Sequence, residues 1–469
     1  MMTKLTQYLL PALLFVLYGA AAQEPSQTLE LESLKTPPPA VAELQLPIET
    51  WQTPQGSKVL FVRSTQLPMF DLQVVFDAGG ARDDGADGLA QLTLGMLDEG
   101  TSNRDAAQIA EGFDEIGAKL RKSVRTHKAE ISLRSLSSAP HREKAVTLLA
   151  EILADPQFDE EKLNKTKDQL ISLSTRRQNY PHYKAYDQLI AHVFANHPYA
   201  ANSYGSAQSI NALTTEDLRN FHLRALSAGN ALITLVGDLT STQARDIALQ
   251  ISAALPLGPI LAPLPVPATF EPEIYHLEHP GTQSLLLFAI PGISAKHPDA
   301  PALTLANLIL GGSGANSRLI EVLRVERGLT YGADSQLIQL PDNGLWIFST
   351  QVQAKYQDAA MGLLESVLLD YAENGPTEQQ FADAKEQLRG SYLLESVSNQ
   401  QISQVLAHIG FNQLPQDSRQ AFIAQIHALT LDQLNVVLKN HLKLDNLVQI
   451  SVGPSVEQLE LPEALPTSG

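Results

Sequence analysis

Twelve histidines and no cysteine bound the chemistry open to this chain of 469 residues. Without thiols there can be no disulfide, thiolate metal site, iron–sulfur cluster or cysteine nucleophile. A zinc-binding helix needs histidines at i and i+4, the spacing that puts both imidazoles on one face, and no pair has it. His192 and His197 are five apart, and Pro198 closes any helix there. His276 and His279 are three apart beside Pro280, in an extended context where i and i+3 point to opposite faces. All four read as ordinary structural residues, and no metal ligand is assigned. Serine chemistry has no G-x-S-x-G frame to stand on. The stretch Gly311-Gly312-Ser313-Gly314-Ala315-Asn316-Ser317-Arg318 lacks the Gly-Lys-Ser/Thr of a phosphate loop, so it reads as a glycine turn between helices.

The elements that would position any site come in two comparable sets. Runs rich in β-forming residues occupy 58–63, 69–77, 231–236, 283–290 and 447–452. Helical periodicity covers 105–118, 143–153, 160–177 and 215–224, with Thr214-Thr215-Glu216-Asp217 as a helix start. Strands first, then helices, then a closing strand favour α+β domains over a doubly wound parallel sheet. Ile210-Asn211-Ala212-Leu213-Thr214 recurs as Ile426-His427-Ala428-Leu429-Thr430, 216 positions later. Asn230 to Gly237 recurs as Asn446 to Gly453 at the same offset, and Lys167-Asp168-Gln169-Leu170 returns as Lys385-Glu386-Gln387-Leu388. That period is far longer than the ~20–50 residues of solenoid repeats, and it marks a duplicated domain.

The ends and joints of the chain follow from composition. Lys4, the apolar run Tyr8 to Leu17 and Ala20-Ala21-Ala22 make a secretory signal over 1–22, cleaved near Ala22. Residues 23–45, with Pro37-Pro38-Pro39, form an extended leader. The first domain spans 46–254, a proline-rich linker 255–272, the second domain 273–455 and a C-terminal tail 456–469. No membrane anchor remains after cleavage, so the protein is expected in the periplasm or outside the cell. A net charge of −18 with no compensating basic block argues against nucleic acid.

Several segments carry a resemblance to a known family. Gly88-Leu89-Ala90-Gln91-Leu92-Thr93-Leu94-Gly95-Met96-Leu97-Asp98-Glu99-Gly100-Thr101 resembles the zinc-helix segment of the pitrilysin/insulinase metallopeptidases, the inverted zincins. Asp77-Ala78-Gly79-Gly80-Ala81-Arg82-Asp83 is similar to the strand and turn before it. His197-Pro198-Tyr199, Ser203-Tyr204-Gly205 and Leu235-Val236-Gly237-Asp238 match further stretches. The most specific match is Leu310-Gly311-Gly312, Ser317-Arg318-Leu319 and Leu323-Arg324-Val325-Glu326-Arg327-Gly328-Leu329-Thr330-Tyr331-Gly332. The resemblance covers roughly residues 46–455. It implies two homologous α+β domains, each an antiparallel sheet packed with helices, together forming a half-shell.

Active members of that family carry H-x-x-E-H, two zinc ligands and a general base. Here those positions hold Gln91, Leu94 and Gly95, and the window for a third, carboxylate ligand, Gln169-Leu170-Ile171-Ser172-Leu173-Ser174, has no acid. No zinc is expected in this chain. The resemblance leaves Arg324 and Tyr331 as catalytic candidates, a guanidinium and a phenol able to orient and polarise a peptide carbonyl. Taken alone, Arg324 near a helix C-terminus could serve only the helix dipole, and Tyr331, opening a strand, could simply pack. The expectation is a zinc-lacking subunit of a heterodimeric peptidase. A homologous chain with intact H-x-x-E-H would supply the zinc, and short or unfolded peptides would be the substrate. The alternatives are a peptide-binding or scaffold protein and an independent zinc peptidase with a relocated site.

Overall fold

The computed structural model describes residues 46–312 and 316–464. The expected signal and leader, the segment 313–315 of the glycine turn and the last five residues lie outside the described residues. The first half runs β1 (Glu49–Gln52), β2 (Lys58–Arg63), β3 (Met69–Phe76), α1 (Leu89–Met96), α2 (Ala106–Asp114), β4 (Lys119–Val124), β5 (Ala129–Leu136), α3 (Ala139–Ala154) and α4 (Glu160–Arg177). It continues through α5 (Pro181–Val193), α6 (Ala207–Ala212), α7 (Thr215–Ala225), β6 (Ala231–Gly237) and α8 (Ser241–Ala254). The second half runs β7 (Glu273–Glu278), β8 (Gln283–Gly292), α9 (Ala300–Asn307), α10 (Arg318–Ile320), β9 (Ala333–Gln339), β10 (Gly344–Gln353) and α11 (Gln357–Asn374). It closes with α12 (Glu378–Leu394), α13 (Asn399–Phe411), α14 (Ser418–Ala428), α15 (Leu431–His441) and β11 (Val448–Gly453). Residues 256–272 carry neither helix nor strand.

The fold is α+β, with two sheets of matching order. The first is β1-β2-β6-β3-β5-β4 and the second β7-β11-β8-β10-β9. Pairing is antiparallel except for β2 with β6 and β7 with β11. Each parallel pair needs a long crossover, which the intervening body of its half provides. Thr214 and Thr430 cap α7 and α15 with the same reciprocal box, to Asp217 and Gln433.

Both faces of each sheet are covered, which is why β6 and β8 read as unbroken apolar runs rather than alternating ones. In β2, Val59 and Phe61 join the core beneath the first half's own helices, while Leu60 and Val62 face the other way. The helix on that second face is α13, contributed by the second half through Ile402, Leu406, Ala407 and Ile409. The exchange is reciprocal. Ala185, Leu189 and Val193 of α5, from the first half, cover Leu285, Leu287 and Ala289 of β8. Each sheet is therefore completed by a helix of the other half.

Two helix limits differ from the sequence expectation. The helix expected over 105–118 stops at Asp114, because Gly117 turns with φ +62° into β4. The one expected over 143–153 starts at Ala139, with Pro140 in the first turn, where a missing N–H costs nothing.

Candidate functional site

α1 starts after Gly88, whose φ of +94° only glycine adopts without strain. The Asp83 carboxylate accepts the Gly88 and Ala90 amides at 2.9 Å each, satisfying N–H groups at the helix start. Burial raises its pKa to about 8 against the opposing pull of those bonds. Arg82, just before it, pairs with Asp77 and donates to the Ala262 carbonyl at 2.9 Å. Gly80 is needed because a Cβ there would lie 2.2 Å from Ser203 Oγ. His197 accepts the Tyr199 amide and bonds the Pro265 carbonyl through its second nitrogen. These resembling segments thus hold the scaffold around α1, and His192, engaged at both nitrogens by Glu271 and Tyr275, does the same near the linker.

On α1 itself, zinc has nothing to bind. Leu94, at the general-base position, is 2% exposed within the aliphatic core. Gly95, at the second ligand position, lies against Thr166 of α4. Its carbonyl accepts the Lys122 ammonium at 3.0 Å, and the same ammonium pairs with Asp98. Lys122 comes from β4, the edge strand of the first sheet. A fixed cation thus stands beside the position where a dication would need negative or neutral donors. Across on α4, Ser172 is exposed and Ser174 donates to the Gly205 carbonyl, so no carboxylate faces α1 from that window.

Arg324 and Tyr331 sit at the opposite end of the motif hierarchy, on a surface segment of the second half. Ser317 caps α10, which continues as a wider π-type stretch over Glu321–Glu326 and ends at Gly328, φ +62°. Arg324 is exposed on that stretch. Tyr331 does not enter a strand as expected. It lies two residues before β9, on a bend where Thr330 bonds the Gly332 amide and carbonyl, and it is 87% exposed. Among the described residues neither side chain has a hydrogen-bond or ion-pair partner, whereas Arg318 is held by Asp370 and Arg327 by the Pro462 carbonyl.

The sequence matches two family models, "Insulinase (Peptidase family M16)" over residues 58–206 and "Peptidase M16 inactive domain" over 212–388. A crystal structure described as the peptidase M16 inactive domain from Pseudomonas fluorescens is 39% identical, with a TM-score of 0.86, over 89% of this chain and all of that one. The chain belongs to peptidase family M16. Other M16 relatives include the Helicobacter pylori "Non-peptidase homolog YmxG", 27% identical over 83% of this chain and 90% of its own. A Mycobacterium tuberculosis protein described as an uncharacterized zinc protease is 25% identical over 82% and 89%. With Gln91, Leu94 and Gly95 in place of H-x-x-E-H, this chain is an inactive M16 member without the catalytic zinc site.

Spacing along the chain did miss one cluster of donors. His297, Asp299 and His441 converge in the second half, where separation by 142 residues hides the contact from any local pattern.

Proposed function

We propose that this protein is the exported, zinc-lacking subunit of a two-chain M16 peptidase, supplying Arg324 and Tyr331 to peptide hydrolysis at a partner's zinc. The observation that carries the reading is the contrast between the two candidate sites. On α1, Leu94 is packed into the core and the Gly95 carbonyl is taken by the Lys122 ammonium. On the second half, a guanidinium and a phenol project without a hydrogen-bond or ion-pair partner among the described residues, beside Val325, itself 61% exposed. A long cation and a large aromatic left free on one short segment suit a role completed by something outside the chain. The phenol would donate to the developing oxyanion and the guanidinium would hold substrate carbonyls.

The test is reconstitution with a homologous chain bearing intact H-x-x-E-H. Alone, this chain cleaves no unstructured peptide. In the mixture, Tyr331→Phe lowers turnover by about 10²–10³-fold, the cost typical of losing one oxyanion donor, with complex formation unchanged by gel filtration. Full turnover in the Tyr331→Phe mixture defeats the catalytic assignment and leaves a peptide-binding or scaffold role.

A further inference from the structure

The turn before α9 and the end of α15 bring three donor groups together. Asp299 precedes α9, His297 lies two residues earlier, and His441 is the last residue of α15. His441 Nε2 is 2.8 Å from Asp299 Oδ2, and His297 Nδ1 is 3.9 Å from the same oxygen. The imidazoles stand nearly perpendicular, at 86°, with centroids 5.3 Å apart. One donor atom from each residue lies within 4.8 Å of the other two. An ion about 2.0–2.2 Å from each donor would draw them together by small side-chain rotations.

The plainest account of these residues is an ion pair stitching a helix end to a turn, and the first half shows what that stitch requires. There Arg224, in the last turn of α7, pairs with Asp84 and donates to the Arg82 carbonyl at 3.0 Å. α7 corresponds to α15, and the turn before α1 to the turn before α9. A guanidinium does this work with no capacity to bind metal. In the second half the repeat offset puts Asn440 at the place of Arg224, and the neighbouring imidazole of His441 makes the contact to the carboxylate instead, with the His297 ring alongside. The Asp299 amide donates to His297 Nδ1 at 3.1 Å and holds that ring beside the carboxylate, a bond that an ion taking this nitrogen would displace. All three side chains are partly open to solvent, and His297 forms the lip of a cleft of about 660 Å³, so an ion has a way in.

We propose that His297, Asp299 and His441 bind one divalent transition-metal ion of the zinc class. Two imidazole nitrogens select such an ion over magnesium or calcium, which prefer all-oxygen sites. Three protein ligands leave a fourth position for water. The ion fastens the start of α9 to the end of α15, two helices that share the second half's core through Leu303, Leu305, Leu434 and Leu438. This site is separate from the degenerate positions on α1 and does not depend on any peptidase role.

Calorimetric titration of Zn²⁺ into the chelator-stripped full chain, with thermal unfolding followed in parallel, tests it. One Zn²⁺ binds per chain and raises the unfolding midpoint, while Mg²⁺ at the same concentration does neither. His297→Ala keeps the Asp299–His441 pair, with its own zinc-free midpoint as the reference, yet weakens Zn²⁺ binding at least tenfold. His441→Ala weakens it as much, and His427→Ala, on an exposed face of α14, leaves it unchanged. No saturable Zn²⁺ binding to the wild-type chain, or undiminished binding in both His297→Ala and His441→Ala, overturns the assignment.

Discussion

His127 shows how one side chain can couple solution pH to the joint between the halves. It lies between β4 and β5, its ring tilted against Phe411 of α13 at 5.5 Å. Burial, then the neighbouring Lys128, lower its pKa from 6.5 to about 4. His408, also on α13, is lowered by burial and by the same Lys128. Between pH 6.5 and 4 the unfolded chain takes up a proton at His127 that the folded chain refuses, and His408 acts in the same direction. Stability from His127 is therefore complete above about pH 6.5 and is lost as pH falls towards 4. His127→Phe keeps the aromatic contact and removes the titration, so the fall in unfolding midpoint between pH 7 and 4.5 should be smaller than in wild type. An equal fall in both proteins counts against this coupling. The residue scale is also where the sequence was most legible for loss of function. The absence of ligating groups at Gln91, Leu94 and Gly95 needed no coordinates. The role of Lys122 did need them, because only strand pairing carries it from β4 to the end of α1.

At the scale of elements, the exchanged helices decide stability. α13 meets the first sheet through fully buried Leu406 and through Gly410, where an added Cβ would come within 2.7 Å of Leu232. A hydrogen-bonded chain fixes its register, Thr234 to Ser403 at 3.0 Å and the Ser403 hydroxyl to the Gln73 amide oxygen at 3.2 Å. Leu406→Ala should cost about 2–5 kcal/mol in urea unfolding, the usual range for a buried leucine; a cost below about 1 kcal/mol would mean that α13 is not part of the first half's core. The strands β2, β3, β6, β8 and β11 were legible, because their runs of valine, leucine, isoleucine and phenylalanine favour a pleated, buried surface. β4 was not, since Lys119, Arg121 and Lys122 crowd an edge strand that has few apolar residues. Nor could the exchange be read, because a helix's apolar stripe says that it is covered and not by which sheet. The same limit hid the approach of His441 to Asp299.

For the whole molecule, reciprocal packing predicts one cooperative unit where the duplicated sequence suggests two. The chain has two tryptophans, and they fall one in each half, Trp51 and Trp346. Single-tryptophan variants Trp51→Phe and Trp346→Phe report the halves separately. Their urea midpoints should coincide with each other and with the loss of helical circular dichroism. Well-separated midpoints would show that the halves unfold independently and that the exchanged helices contribute little. The repeat offset of 216 residues revealed that there are two copies, and the sheets bear out their common strand order. How the copies depend on each other was settled by contacts the repeat does not encode.

That dependence has a consequence in time. The first sheet is complete in sequence at Gly237, but the helix that covers its second face, α13, ends at Phe411. At about 5–20 residues per second of synthesis, the interval between them lasts on the order of 10–30 s. During it Leu60, Val62, Val75 and Leu232 lack the cover of α13 and the N-terminal half cannot reach its final state. The architecture thus delays its own folding until nearly the whole chain has been made, and a holding chaperone would find its binding surface on the outer face of β2, β3 and β6.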